Sequence, residues 1–333
     1  MKTRSRLFLL AIAAIAVTLY LLTPARLAVV PATPSLPADL DAWLATTEAA
    51  SPYPLVPGTE KRIRWQSAPG ETTPIAIVYL HGFSASRREI TPTMEIVADA
   101  IGANLFETRL SGHGRASGAL EGTAAEEWLD DAAEALAIGE RLGNRTILVG
   151  TSTGSTLAMA MVGHELMRNV SDIVLISPNF ALNDERAALL TKPAGPLLAD
   201  LMIGKMRSFE VHNEDHGLYW SSTYPTRAVV EAMRLVDFVE GSLPVSIPSR
   251  LLVVYSPDDQ VISPTAVRAA VERIDTPDLS VVEVTETDDR FRHVIAGDIL
   301  SPSTTQSVAD SVIDFLRNAA ATRNAVEPTP NES

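Results

Sequence analysis

The fold of this chain is decided by the stretch Thr146-Ile147-Leu148-Val149-Gly150-Thr151-Ser152-Thr153-Gly154-Ser155. It begins with apolar, mostly branched residues, which are typical of a strand buried on both faces of a parallel sheet. From Gly150 to Gly154 it has the pattern G-x-S-x-G, and residues that favour helix follow from Thr156 to Val162. A strand, a serine flanked by glycines and a helix, in this order, predict a sharp turn that holds the Ser152 hydroxyl above the sheet.

The geometry of this turn is expected to require both glycines. Side chains at Gly150 and Gly154 would collide with neighbouring backbone in so tight a connection. The helix that follows would direct its N-terminal amides towards the Ser152 hydroxyl, where they would stabilise a developing negative charge.

The composition is that of an ordinary globular protein, and it limits the classes of function. The chain has 333 residues, of which 46% are hydrophobic and 20% are charged. Its net charge of −14 argues against binding to nucleic acid and against electrostatic docking on anionic lipid. The sequence has no cysteine, which excludes disulfides, a thiol nucleophile and thiolate metal sites.

The N-terminus has the pattern of a secretory signal peptide or an uncleaved signal anchor. Three basic residues precede an uncharged stretch from Leu7 to Leu22, which is slightly short for the roughly 20 residues of a spanning helix. The best cleavage site, Val30-Pro31-Ala32, is poor. We therefore expect residues 1–30 to form a membrane anchor, with the rest of the chain on the extracytoplasmic side, which is the periplasm in a Gram-negative cell. Secretion after signal cleavage is the alternative.

Residues 31–57 are rich in Pro and Ala and predict a linker, although a short helix is expected over Leu40–Thr47. Strands then alternate with helices across residues 58–320, and a polar tail at 321–333 is expected to be disordered. This alternation predicts an α/β fold with a mostly parallel sheet and helices on both faces. The predicted strands are Arg62–Trp65, Ile75–Leu80, Asn104–Thr108, Thr146–Val149, Ile173–Ile176, Leu251–Tyr255 and Ser280–Val284. The predicted helices are Thr123–Leu142, opened by a capping box at Thr123–Glu126, and Thr156–Val162, Pro264–Ile274 and Thr304–Ala319.

Residues 178–248 interrupt this alternation. The segment has helical patterns at Ala187–Met206 and Thr226–Val239 and no convincing strand, so we expect an all-helical insertion. An insertion at this place is suited to a lid over a binding site. Its apolar residues are expected to form a pocket for an apolar substrate chain, and they include Leu197, Leu198, Leu201, Met202, Met206, Phe209, Tyr219, Trp220, Met233 and Leu235.

A serine hydroxyl is a weak nucleophile, so it needs a base within reach and an acid that orients this base. On this kind of sheet the chain order is Ser, acid, His. Asp258 and Asp259 follow the strand that ends at Tyr255, and either could be the acid. His293 lies between the last strand and the last helix, where the base is expected. The remaining histidines, His81, His113, His164, His212 and His216, fit this order less well.

Two backbone amides are needed to bind the negatively charged oxygen that forms when a serine attacks a carbonyl carbon. One is expected from Thr153, directly after the nucleophile. The other is expected from the loop after His81-Gly82, and we assign it to Phe83. Gly82 would let this backbone approach a substrate closely.

Four features together resemble the α/β-hydrolase superfamily, nearest the serine-aminopeptidase-like branch that includes monoacylglycerol lipases and small carboxylesterases. They are His81-Gly82-Phe83, the turn Arg109–Gly114, the Gly150–Gly154 motif, and Asp259-Gln260-Val261 with His293-Val294 followed by Asp298. In this family the acid precedes one residue and then Val or Ile, so the resemblance selects Asp259 over Asp258. Phe291 departs from the pattern, since Ser or Gly often lies two residues before the histidine. The resemblance covers Arg62 to Leu316.

The resemblance implies a serine hydrolase that cleaves carboxylic esters through an acyl-enzyme. Ser152, Asp259 and His293 would be catalytic, and Phe83 and Thr153 would form the oxyanion hole. The expected partner is a small acyl ester, and no metal, cofactor or nucleic acid is implied. A serine aminopeptidase remains an alternative, since Glu210, Glu214 and Asp215 could bind a substrate amine. A C–C bond hydrolase and a catalytically silent binding module also remain open.

Overall fold

The computed structural model describes residues 8, 12–14, 17–18, 23–27, 31–115 and 118–324, the last six by their backbone alone. Its strands are β1 (Arg62–Arg64), β2 (Thr73–Leu80), β3 (Asn104–Glu107), β4 (Gly143–Thr151), β5 (Val170–Ile176), β6 (Met206–Ser208), β7 (Thr223–Pro225), β8 (Val245–Ser246), β9 (Arg250–Tyr255), β10 (Ile274–Asp275) and β11 (Leu279–Glu283). Seven of them form one sheet in the order β1-β3-β2-β4-β5-β9-β11. Only β1 runs antiparallel to its neighbour in this sheet, which confirms the predicted, mostly parallel sheet.

Helices cover both faces of the sheet, as predicted. They are α1 (Leu40–Ala49), α2 (Thr93–Ile101), α3 (Ala125–Leu142), α4 (Thr153–Ala160), α5 (Gly195–Met202), α6 (Glu214–Tyr219), α7 (Thr226–Ser242), α8 (Pro264–Val271) and α9 (Pro302–Asn324). Along β2, Val78 and Leu80 lie in the apolar core that includes α3, α4 and α7. Ile77 and Tyr79 alternate with them and lie in the core that includes α2 and α9.

The start of α3 differs from the predicted capping box at Thr123–Glu126. The residue before the helix is Ala124, whose amide donates to Glu127 Oε1 at 2.9 Å. The Thr123 hydroxyl donates instead to Ala119 O at 3.0 Å. A capping box has two reciprocal hydrogen bonds, and only the one to the glutamate side chain forms, one residue later than expected. The other is missing because Ala124 has no side-chain oxygen to accept a backbone amide.

The segment 178–248 is not all-helical, so this part of the prediction is wrong. β6 and β7 pair antiparallel within it, and three residues each are too few to show a strand periodicity in the sequence. The helix predicted over Ala187–Met206 is divided into a 3₁₀ turn at Glu185–Leu189 and α5. Pro193 lies between the two, and a proline disfavours helical conformation in the residue before it.

The segment predicted as a linker, residues 31–57, packs against the domain. Its helix α1 buries Leu40 and Leu44 in the main core. The carboxylate of Glu48 also receives hydrogen bonds from two nitrogens of Arg109, at 2.7 and 2.9 Å, and both side chains are buried. Such a bidentate pair fixes orientation as well as distance, so α1 is held in one position on the domain.

The predicted membrane anchor requires a correction. No helix in the described ranges is long and apolar enough to cross a membrane. This finding overturns the transmembrane signal anchor and the membrane-bound, extracytoplasmic location that depended on it. The uncharged stretch from Leu7 to Leu22 is shorter than the roughly 20 residues that a spanning helix needs, and much of it lies outside the described residues.

Two helical glycines offer a matched test of how closely α3 packs on the sheet. A Cβ at Gly139 would lie 2.6 Å from Val78 Cγ2, whereas a Cβ at Gly241 would meet no atom within 4 Å. We expect Gly139→Ala to lower the free energy of unfolding by about 1–3 kcal/mol through overpacking. Gly241→Ala should raise it by up to about 1 kcal/mol, because alanine favours helix. Urea unfolding measures both, and equal effects would contradict this account of the packing.

Candidate active site

Ser152 lies in a strained turn between β4 and α4. Its backbone has φ 52° and ψ −114°, a conformation that residues other than glycine seldom adopt. The neighbouring strand holds the turn in place, because Ser152 N donates to Ile176 O at 2.9 Å. The residue is 6% exposed, and its side chain lies at the carboxyl end of the sheet, where ligands bind in this class of fold.

The two glycines around Ser152 have no space for a side chain. A Cβ at Gly150 would lie 2.4 Å from Gly154 O, and a Cβ at Gly154 would lie 2.0 Å from Leu80 O. Both obstacles are backbone atoms, which cannot rotate away as a side chain can. The collision with neighbouring backbone that was predicted for side chains at both positions is therefore confirmed.

His293 lies between Ser152 and Asp259 and within hydrogen-bond distance of both. Its Nε2 is 3.1 Å from Ser152 Oγ, and its Nδ1 is 2.7 Å from Asp259 Oδ2. These distances fit a neutral imidazole with its proton on Nδ1. The Nδ1–H group then donates a hydrogen bond to the Asp259 carboxylate, and Nε2 can accept one from the Ser152 hydroxyl. The structure thus brings together the three side chains chosen from the sequence.

Asp259, not Asp258, is the acid that reaches His293. The Asp259 side chain is fully buried, and its second oxygen, Oδ1, accepts the amides of Val261 and Ile262 at 2.7 and 2.9 Å. Asp258 is exposed. A further bond from Gln260 N to Phe291 O at 2.9 Å joins the two loops that carry the acid and the histidine.

The loop that carries His293 is held by two side chains that the sequence analysis did not identify. Asp289 Oδ2 accepts the amides of His293 and Val294 at 2.9 and 3.0 Å. The Ser177 hydroxyl donates to His293 O at 2.7 Å. Asp289 lies four residues before His293 in a polar turn. This position was the one feature of the sequence that could have indicated its contact with the His293 and Val294 amides.

Negative charges set the protonation of His293. Burial of this imidazole would lower its pKa, but the carboxylates of Asp259, Glu89 and Asp289 outweigh this effect and raise the pKa above its usual value. The side chain is 12% exposed. A base poised in this way is charged in mildly acidic solution and can accept a proton at higher pH.

The loop after β2 carries the predicted oxyanion residue Phe83. Its ring lies edge-on to Tyr224 of the inserted segment, with 4.9 Å between ring centroids. The His81 side chain links this loop to the loop of Leu110. Its Nδ1 donates to Gly82 O at 2.8 Å, and its Nε2 accepts a hydrogen bond from Leu110 N at 3.0 Å. Thr153, the second predicted donor, is the first residue of α4, where the backbone amides of a helix lack acceptors within the helix.

The other histidines do not take the place of His293. Burial lowers the pKa of His113 to about 4 and that of His81 well below its usual value, so both are neutral. His212 and His216 lie in the inserted segment, where their rings are 5.1 Å apart. Within the described ranges, no group of three or more His, Asp or Glu side chains is arranged to hold a metal ion.

The inserted segment contacts the site through part of its apolar residues. Trp220 is buried against Ala85 and Val294, beside the two loops that flank Ser152. Met233 belongs to a cluster on α7 and α5 that packs against Phe83 and Tyr224. Five of the residues expected to form the pocket lie largely exposed instead, namely Leu197, Leu198, Leu201, Met202 and Met206.

Residues 74–298, more than half of the chain, match the family model described as serine aminopeptidase, S33. The matched range contains Ser152, Asp259 and His293. Comparison with curated proteins gives no significant match.

Solved structures of several lipolytic enzymes have a similar fold. One of two metagenome-derived lipolytic enzymes superposes with a TM-score of 0.62 and 19% identity, over 79% of this chain and 99% of the other. A monoacylglycerol lipase from Paleococcus ferrophilus gives 0.57 and 14%, over 77% and 98%. A soluble variant of the monoglyceride lipase from Saccharomyces cerevisiae, in complex with a substrate analog, gives 0.57 and 13%, over 80% and 98%. At these identities the likeness establishes the fold alone.

The two neighbouring aspartates provide a test that needs no substrate. Removal of the negative charge beside His293 should lower the pKa of its imidazole, so we expect Asp259→Asn to lower it by about one unit or more. Asp258→Asn should leave it unchanged, because Asp258 is exposed and does not contact the ring. NMR titration of the His293 ring measures both. A larger shift in Asp258→Asn would contradict the assignment of Asp259.

Proposed function

Since this chain belongs to the serine aminopeptidase S33 family of α/β-hydrolases, the branch predicted from the sequence, we propose that it is a serine hydrolase that cleaves carboxylic esters. One observation carries the proposal. Ser152 Oγ, His293 and Asp259 form a continuous series of contacts of 3.1 and 2.7 Å at the carboxyl end of the sheet. A hydroxyl, a base and an acid in this arrangement suit acyl transfer.

In the proposed first step, Ser152 Oγ attacks the carbonyl carbon of the ester while His293 Nε2 takes the hydroxyl proton. Asp259 keeps the imidazole oriented and favours its protonated form. The negative charge moves to the carbonyl oxygen, where the amides of Phe83 and Thr153 would bind it. When the tetrahedral species collapses, His293 gives its proton to the departing alcohol, and an ester of Ser152 remains.

Water releases the acyl group in the second step. His293 removes a proton from the water as it attacks the Ser152 ester, and this proton returns to Ser152 Oγ when the carboxylic acid departs. The cycle therefore consumes one ester and one water and yields one acid and one alcohol. It needs no group beyond the side chains and amides named here.

The apolar surroundings of Phe83 suit the acyl side of the ester. The edge-on contact of Phe83 with Tyr224 and the nearby Met233 cluster support placing an apolar chain between the oxyanion loop and α7. The similar solved structures are those of lipolytic enzymes and monoacylglycerol lipases, which agrees with an acyl ester as substrate.

A peptidase with the same site would need free acidic groups to bind a substrate amine. Glu210 is already paired with Arg290, at 2.6 Å. Glu214 and Asp215 are exposed in the first turn of α6, where they face the positive end of the helix dipole. The pairing of Glu210 weighs against the peptidase, and a comparison of nitrophenyl esters with aminoacyl-nitroanilides tests the choice.

Removal of the nucleophile is the direct test of the proposal. We expect Ser152→Ala to abolish labelling by a fluorophosphonate probe and to lower ester turnover by several orders of magnitude, as loss of a nucleophile does. Ser155→Ala, in the first turn of α4, is the matched control. The Ser155 hydroxyl donates to Gly150 O at 2.6 Å, and this variant should still be labelled at Ser152. Normal turnover in Ser152→Ala, or no labelling of the unaltered protein, would contradict the proposal and favour a silent binding module.

The acyl pocket is tested with nitrophenyl esters of graded chain length. Each methylene buried should raise kcat/KM by up to about fourfold until the pocket is filled, which corresponds to about 0.8 kcal/mol. We expect kcat/KM to rise from acetate towards butyrate or hexanoate, and Met233→Ala to flatten this rise. Met202→Ala is the control, because Met202 is 79% exposed. Acetate as the best substrate, with no effect of Met233→Ala, would show that the acyl chain binds elsewhere.

A further inference from the structure

A second carboxyl group, that of Glu89, is buried beside the candidate active site. Glu89 ends a short 3₁₀ turn, Arg87–Glu89, and is 3% exposed. Its Oε2 accepts the amide of Gly82 at 2.8 Å and the hydroxyl of Tyr79 at 3.0 Å. A buried carboxyl group is costly unless its oxygens are bound in this way, so its presence calls for a function.

The Glu89 carboxyl group lies against the backbone of the oxyanion loop at Gly82. A Cβ at Gly82 would be 2.7 Å from Glu89 Oε1 and 3.2 Å from Ser152 Cβ. The place that a Gly82 side chain would occupy is thus filled by the Glu89 carboxyl group and by Ser152. Because Glu89 Oε2 accepts the Gly82 amide, a shift of this oxygen would move that amide and, with it, the amide of Phe83, the next residue.

The backbone around Glu89 also supports the loop that carries His293. A Cβ at Gly297 would lie only 2.5 Å from Glu89 O, and Asp298 N donates to Thr91 O at 2.8 Å. Residues 87–91 therefore contact both loops that flank Ser152. One turn can fix the distance between the oxyanion amide and the imidazole.

The groups that face Glu89 favour a negative charge on it, although burial opposes one. The pKa of Glu89 is raised to about 7, because burial outweighs the Gly82 amide, the positive charge of His293 and the Tyr79 hydroxyl, which each act to lower it. The pKa of Tyr79 lies well above its usual value because it is buried, so Tyr79 is a neutral donor. The Tyr79 hydroxyl lies 3.0 Å from Glu89 Oε2 and 3.2 Å from the Thr151 hydroxyl, and the carboxyl oxygen is the stronger acceptor for its single proton.

The two arginines of the same turn contact side chains other than Glu89. Arg87 contacts Glu60 and Glu107, and Arg88 lies over the ring of Tyr219 at 4.8 Å from its centroid. The other acids that act on His293 are Asp259 and Asp289. Glu89 is thus a third negative group around one imidazole, and the one that also contacts the oxyanion loop.

We propose that Glu89 is a positioning residue of this hydrolase: its carboxylate holds the oxyanion loop through the Gly82 amide and stabilises the positive charge that His293 takes on during acyl transfer. The proposal rests on the function proposed above. It assigns Glu89 no bond to the substrate and no proton transfer. Glu89 acts by fixing the position of the oxyanion loop and by favouring the protonated form of His293.

Glu89→Gln separates these effects from a merely structural role. Glutamine keeps the shape of the side chain and an oxygen for the Gly82 amide, but it removes the charge. We expect the pKa of His293, followed by NMR of its ring in the Ser152→Ala background, to fall by about half a unit to one unit. With Ser152 present, the acidic limb of kcat/KM should move to lower pH by the same amount, while the plateau falls.

Glu107→Gln is the matched control. Glu107 is also buried, its pKa is also raised to about 7 by burial, and it pairs with Arg62 rather than facing His293. This variant should lose stability without moving the titration of His293. Tyr79→Phe is a second probe if Glu89→Gln does not fold. It removes one donor to the carboxylate, which raises the pKa of Glu89 and should lower that of His293 by a smaller amount.

An unchanged titration of His293 in Glu89→Gln, or in Tyr79→Phe where the first does not fold, would overturn the proposal. So would a fall in kcat/KM that is equal at every pH, since a structural defect alone would produce it. Failure of the proposed function is seen separately, as absence of fluorophosphonate labelling at Ser152. In that case the NMR titration still decides whether the charge of Glu89 acts on His293.

Discussion

The site depends on the close approach of the Gly154 backbone to the end of β2. A methyl group at this position would lie 2.0 Å from Leu80 O and 2.8 Å from His81 O. The helix that follows Ser152 therefore lies directly against the strand that leads into the loop of Gly82 and Phe83. This contact determines the distance from Ser152 to Phe83, and the remaining loops are arranged around that pair.

The candidate site residues that are predictable from the sequence are those whose placement follows from their position along the chain. Ser152 was marked by its glycines and by the strand before it, and His293 by its place between the last strand and the last helix. The choice between Asp258 and Asp259 needed the family resemblance, because two adjacent carboxylates in a turn are locally equivalent. The structure separates them by burial, with one side chain fully enclosed and the other exposed.

The residues that the sequence did not reveal act across loops. Glu89 follows Gly82 by seven positions, and nothing local indicates that its carboxyl group folds back onto that amide. Ser177 reaches the carbonyl of His293, which is 116 positions away. The strands β6 and β7 were missed for a related reason, because their pairing is tertiary and each is only three residues long. Local propensity carries no information about contacts of this kind.

The pairing of Glu48 with Arg109 has a practical consequence for where the chain can be shortened. Arg115 also depends on this region, since it donates to Glu48 O at 2.9 Å and to Tyr53 O at 3.0 Å. A chain that started after residue 57 would leave two buried guanidinium groups without these acceptors, and an uncompensated buried charge costs about 3–5 kcal/mol. Fragment boundaries for expression or crystallisation therefore belong before Leu40, and a cut at the end of the proline-rich segment would remove a structural component of the domain.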